Sequence, residues 1–217
     1  MDYEDQQCHL QHDHSTLSVH ATDLQLAKFQ ERSNALQRKI AQWCMIQLLY
    51  FPSVACLRSS DIKSSIDSTQ EEKPTNINLW LPSQIRRETL LPCNDSLSKY
   101  EWDLQRAQAF DALDDLCRHL CLQTHLYKFK DAQICSQRAN THAGIIIKNV
   151  EINVSVAAER YHRAWNTLSA LAPSLARDAW TTELPKLEEG DIRGMGDSTV
   201  TIIPVLGAYE CYRHILP

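Results

Sequence analysis

GIIIKNVEINVSVAAERYHRAWNTLSALAP, residues 144–173, supports two readings at its opening and one over its whole length. Val150, Ile152, Val154 and Val156 alternate with polar residues, as on a half-buried strand, and β-branched side chains favour that state. A wider window carries a different period. Ile147, Val150, Val154, Ala157, Tyr161, Ala164, Leu168 and Leu171 recur at alternating spacings of three and four, and all eight are apolar. A two-residue period cannot produce the second half of that series, whereas one face of a helix does. The spacing predicts a helix from about Thr141 to Pro173, where proline stops it.

Two further long helices precede this one. Thr22 and Gln25 fit a capping box, in which a hydroxyl caps a backbone N–H and the residue three on reaches back. From there Leu26, Phe29, Ser33, Leu36, Ile40, Trp43, Gln47 and Tyr50 fall at three-four spacing, a heptad seam that Pro52 ends or kinks. FPSVACLR adds at most one turn. The other long helix starts at Asn94 or Asp95, both good N-caps, and runs to about Lys128. Its expected stripe is Leu97, Tyr100, Leu104, Ala107, Phe110, Leu113, Leu116 and Leu120, and KDAQICSQRAN reads as a connection. A short helix fits after Ser83, and another around Ala176–Leu184 with Trp180. EEGDIRGMGD reads as a loop.

The segments between these helices are polar. Residues 1–20, rich in Gln, Asp and His, read as a disordered tail. Residues 59–79 read as a flexible linker, rich in Ser, Asp, Glu and Lys without a period. The expected organisation is therefore a tail at 1–20, a first long helix at 21–58, a linker at 59–79, a helical region at 80–195 with two further long helices, and a divergent tail at 196–217. The expected fold class is all-α. Long amphipathic helices cannot bury their seams alone, so they pack as an antiparallel bundle or an extended coiled coil. Five glycines in 217 residues agree, since sheet turns consume glycine.

Composition narrows the function classes. A formal net charge of -5 argues against a chain-wide phosphate-binding surface. The N-terminus has neither a basic nor an apolar segment of the secretory kind, so an intracellular protein with reduced thiols is expected from its 8 cysteines. TVTIIPVLGAY, the most apolar run, is far short of the roughly 20 residues that span a bilayer, so no membrane segment is expected.

CRHLCLQTH puts Cys117, Cys121 and His125 at i, i+4 and i+8, on one helical face. One zinc cannot hold all three, because the outer two lie roughly 12 Å apart along the axis. Zinc–ligand bonds are only about 2.0–2.3 Å. At most a zinc takes one adjacent pair with further ligands from elsewhere; the other reading makes Cys117 and Cys121 small hydrophobes beside the stripe, and it is the one adopted. Cys8, His9, His12 and His14 lack a second knuckle and are read as tail residues. Asp111, Asp114 and Asp115 alternate with apolar positions, as a solvated face does, and no partner is spaced to make them catalytic. Lys128, Lys130, Arg138 and Lys148 suit weak phosphate contact or simply the solvated ends of helices. No catalytic, cofactor-binding or metal-ligating residue is assigned, and no cofactor is expected.

The blocks HATDLQLAKFQERSNALQRKIAQWCMIQLLYFPSVACLR, LWLPSQI, EWDLQRAQAFDALDDLCRHLCLQTHLYKFKD, and QRAN followed by AERYHRAW and LEEGDIRGM stand in this order between about Val19 and Met195. Together they resemble the C-terminal region of the Kyakuja-Dileera-Zisupton (KDZ) transposases, abundant in fungal genomes. The resemblance implies a non-catalytic helical tail. That family's RNase H-like core, whose acidic residues bind two divalent metals, lies N-terminal to the matched region, and no acid here maps onto it. The positions of Cys117 and Cys121 are not metal ligands in the family pattern. After Gly196 the pattern breaks, as in a decayed transposon copy. Three readings follow: a helical fragment that packs or self-associates, the tail of an active transposase whose core is elsewhere, and a stand-alone coiled-coil adaptor. The expected partners are a second copy and, in a parent transposase, weakly held DNA. The expected location is the nucleus if the chain acts with a transposase and otherwise the cytoplasm.

Overall fold

The computed structural model describes residues 2–17, 21–67, 73–89, 93–133 and 136–192. Among them there are seven α-helices, one 3₁₀ turn and no strand, so the all-α expectation is met. The expected 196–217 tail lies outside the described residues. The chain divides into two compact units, one before and one from Asn94.

The first unit contains α1 (Asp2–Thr16), α2 (Asp23–Tyr50), α3 (Val54–Asp67) and α4 (Pro82–Glu88). The capping box of α2 forms as expected. Thr22 Oγ1 accepts from the Gln25 N–H at 3.3 Å, and Gln25 Oε1 accepts from the Thr22 N–H at 2.9 Å. Leu36, Ile40 and Gln47 of the expected seam are buried and Phe29 and Trp43 partly so, whereas Leu26 and Tyr50 at its ends stay exposed.

The reading of 1–20 as disordered is corrected over α1, which packs antiparallel along α2. Tyr3, Gln7, Leu10, His14 and Leu17 recur at four-three spacing, a seam in which polar residues hold two places. Leu10 is buried with Leu36 and Ile40, Tyr3 meets Trp43 ring to ring at 6.4 Å, and His14 meets Phe29 at 5.7 Å. Arg32–Asp13 (2.8 Å) and Lys39–Gln6 (3.0 Å) line its flanks. A short helix with few apolar residues is not stable alone, and α2 supplies the missing surface.

The linker at 59–79 is also corrected over most of its length. Its first part continues α3, because Val54, Leu57, Arg58 and Asp61 form a face on which polar residues find buried partners. Val54 is fully buried with Trp80 and Ile85, the Trp80 indole donates to Asp61 Oδ2 at 2.8 Å, and Arg58 donates to Gln47 Oε1 at 2.5 Å. Residues 73–79 are irregular but pinned, with Pro74 and Leu79 buried. The short helix after Ser83 appears as α4, with Pro82 in its first turn.

The second unit is an antiparallel hairpin of α5 (Asp95–Gln133) and α6 (Gln137–Leu175), closed by α7 (Trp180–Glu183) and a 3₁₀ turn at Glu189–Asp191. Cross-hairpin pairs at Asp103–Arg177, Asp115–Arg160 and Tyr127–Glu151 give the register. All eight predicted positions of α6 are buried, including Val150 and Val154 of the strand-like opening, while Ile152 and Val156 are half-buried. The helical period therefore holds from the first turns. Ser136 caps α6 by accepting from the Ala139 N–H, so the helix begins four residues before Thr141. α5 runs five residues past Lys128, to Gln133, and α6 starts at Gln137, so both helices take in parts of the expected connection. Pro173 does not stop α6 but sits in its last turn. The N–H it removes would have served the carbonyl of Ser169, on an exposed stretch where water can reach it.

The expected stripe of α5 is half corrected. Leu113, Leu116 and Leu120 are buried as predicted, but Tyr100 (67% exposed), Leu104 (56%) and Ala107 point away from the core. Trp102, Gln105, Ala109 and Ala112 take the inner face instead. The expected series crosses from one face of α5 to the opposite one near Phe110.

Candidate functional site

The most organised side-chain constellation lies where the open end of the α5/α6 hairpin meets the returning chain. After α6 the backbone turns sharply. Ala176 adopts a left-handed conformation (φ 49°, ψ 44°), and the N–H groups of Ala176 and Arg177 both bond to the carbonyl of Ala172. This is a helix stop of the kind that glycine usually provides. α7 then inserts Trp180, which packs edge-on against Trp102 at 5.7 Å and tilted against Trp165 at 5.5 Å.

Residues 184–187, Leu-Pro-Lys-Leu, follow in irregular conformation. Leu184 and Leu187 are buried in the hairpin core. Three polar tips of α6 meet their backbone: Tyr161 Oη donates to the Pro185 carbonyl at 2.5 Å, Trp165 Nε1 donates to the Leu184 carbonyl at 3.1 Å, and His162 Nε2 sits 3.0 Å from the Leu187 carbonyl. Arg106–Glu183 (2.6 Å) and Arg177–Asp103 (3.4 Å) tie the rim, and the Arg177 guanidinium lies over the Trp102 ring. Burial pushes the Tyr161 phenol well above its ordinary pKa, so the hydroxyl stays a donor.

The first unit repeats the principle with other residues. Gln7 Nε2 donates to the carbonyls of Pro74 and Ile77 at 2.9 Å each. Trp43 Nε1 donates to the Leu79 carbonyl at 3.2 Å, and Gln47 Nε2 donates to those of Leu79 and Trp80 at 3.0 and 2.6 Å. Trp80 is held at φ 51°, outside the usual range for a side chain of its size. In both units helix side chains clamp the carbonyls of a non-helical segment. This arrangement binds backbone.

The candidates weighed from sequence lie elsewhere. Cys117 is half-buried while Cys121 and His125 are exposed, and among the described residues no three His, Cys, Asp or Glu side chains converge to hold a metal. Cys8, His9, His12 and His14 are spread along α1. Cys8, Cys44, Cys56, Cys93, Cys117 and Cys121 form no disulfide. Asp114 and Asp115 pair with Arg118, and Asp115 also meets Arg160 at 3.4 Å, while Asp111 is exposed. Lys128, Lys130 and Lys148 lie toward the closed end of the hairpin, Lys128 and Lys148 exposed and Lys130 half-buried. Arg138 belongs to α6, its side chain outside what is described.

The clamp donors Tyr161, His162 and Trp165 were missed as a group by the sequence reading, which used only Tyr161 as a seam position. The available signal was an aromatic cluster with polar tips beside an apolar stripe, since such tips need partners when buried. Among the described residues no helix is long and apolar enough to cross a membrane. Comparison of the chain with protein families, with curated proteins and with solved structures found no match.

Proposed function

We propose that this chain is a non-catalytic helical module resembling the C-terminal region of KDZ transposases, and that its work is packing and self-association. One observation carries the packing part of the reading. The polar tips of Tyr161, His162 and Trp165 are directed at backbone carbonyls of the chain's own 184–187 segment, where they organise a helix scaffold. All three belong to the block AERYHRAW, and the carbonyls clamped in the first unit include those of Leu79 and Trp80 in the block LWLPSQI. Two of the sequence blocks that carry the resemblance are thus also packing elements. In a parent transposase, DNA contact through Lys128, Lys130 and Lys148 would be weak and salt-sensitive.

Two measurements on the purified chain test the reading. Light scattering should give a mass above one chain, rising with concentration. Incubation of supercoiled DNA with Mg²⁺ or Mn²⁺ should leave it uncut. Metal-dependent nicking that survives repurification would reject the non-catalytic part. A constant monomer mass would reject self-association.

A further inference from the structure

We infer that α5 pairs antiparallel with α5 of a second copy through its outward face, about a two-fold axis between Asp114 and Asp115. The inference rests on the self-association reading above and specifies its surface. The outward face of α5 carries its own series, at spacings of three and four except for one step of seven across Asp114 and Asp115: Tyr100, Leu104, Ala107, Asp111, Arg118, Leu122, His125 and Phe129. All eight positions are exposed, and the large apolar ones strongly so: Tyr100 67%, Leu104 56%, Leu122 46% and Phe129 52%. Tyr100 to Phe129 is eight helical turns, roughly 44 Å, with almost no angular drift in an ideal helix. The repeat within it is eleven residues, as in Tyr100, Asp111, Leu122 and in Ala107, Arg118, Phe129. An eleven-residue repeat winds a helix pair slightly right-handed, opposite to the left-handed supercoil of heptads.

The series is self-complementary when reversed. Antiparallel pairing about the 114/115 midpoint puts Tyr100 opposite the other copy's Phe129, and Leu104 opposite its His125. The same register puts the small Ala107 opposite the larger Leu122, and Asp111 opposite Arg118. Each pairing occurs twice, as an isologous interface requires. Aromatic meets aromatic at both ends, and opposite charges meet near the middle. Asp114 and Asp115 flank the axis, where like charges would repel, but Arg118 of the same helix already pairs with both. A parallel pairing would instead set Asp111 against Asp111 and Arg118 against Arg118. The Asp111–Arg118 pairings therefore favour the antiparallel direction over the parallel one.

Sedimentation equilibrium on the full chain, with native-lysine cross-linking, tests this. The wild type should be a dimer. Leu104→Glu and Leu122→Glu should each raise its dissociation constant by roughly tenfold or more, with unchanged helical circular dichroism. Ile145→Glu, on an exposed position of α6, should leave it unchanged. A short amine cross-linker should join Lys99 to Lys128 or Lys130. Those pairs are over 40 Å apart within one straight helix, so the link reports two antiparallel copies. A monomeric wild type would overturn both this proposal and the self-association reading. A dimer that survives Leu104→Glu and Leu122→Glu but dissociates with Ile145→Glu would overturn this interface alone. Cross-links of Lys99 to Lys99 would overturn the antiparallel direction.

Discussion

Tyr161 combines two roles that usually compete. Its ring fills the hairpin seam with no exposure, and its hydroxyl still reaches the Pro185 carbonyl. Tyr161→Phe keeps the ring and removes the donor, so it should cost about 1 kcal/mol in urea unfolding. The pH dependence has a definite sign. The folded-state pKa is raised above 10.0 by burial, so the proton is held more tightly in the folded chain. The contribution is complete below pH 10 and is lost as pH rises beyond it, where the unfolded chain ionises first. Stability should fall above pH 10, and the fall should be shallower in Tyr161→Phe. Tyr127, raised chiefly by its hydrogen bond to the Glu151 carboxylate, leaves a smaller residual slope. Ala176 offers a gain instead of a loss. A left-handed alanine costs roughly 1–2 kcal/mol, and glycine relieves it at some cost in chain entropy. Ala176→Gly should therefore stabilise the chain by about 0.5–1 kcal/mol, read as a higher melting temperature.

The helices differ in how their packing reads from sequence. α6 buries every position of its predicted seam, so its substitutions should sort cleanly by that pattern. Leu168→Ala, at a fully buried site, should cost about 2–5 kcal/mol in chemical denaturation. Ile145→Ala, at a site 56% exposed, should change stability by no more than about 0.5 kcal/mol. Equal costs at the two sites would mean that the seam is not the hairpin's main support. α5 was harder because it carries two apolar series on opposite faces. A one-dimensional period finds both and cannot say which faces α6. The inner face was further disguised by polar members such as Gln105 and Thr124, the latter satisfied by the Leu120 carbonyl on its own helix.

Taken as a molecule, the described part of the chain turns helix side chains onto its own backbone. Eight cysteines and nine histidines invite a zinc hypothesis, but Cys117, Cys121 and His125 differ in exposure and belong to no converging group among the described residues. The purified chain should carry less than one zinc, and Cys117→Ala should leave that content unchanged. A stoichiometric zinc lost in that variant would show that the geometric argument against CRHLCLQTH fails. The helical class, the capping box of α2 and the seam of α6 were legible in the residues alone, because they depend on spacings within one segment. The ordering of α1, the continuation of α3, the inward face of α5 and both carbonyl clamps were not. Each depends on a partner distant in the chain: α2 covers the sparse seam of α1, Trp80 gives Asp61 its bond, and the carbonyls at 184–187 receive the polar tips of α6. Local periodicity decides whether a segment is helical. Which of its faces is buried, and which polar groups can follow it inward, is decided only when folding brings those partners within reach.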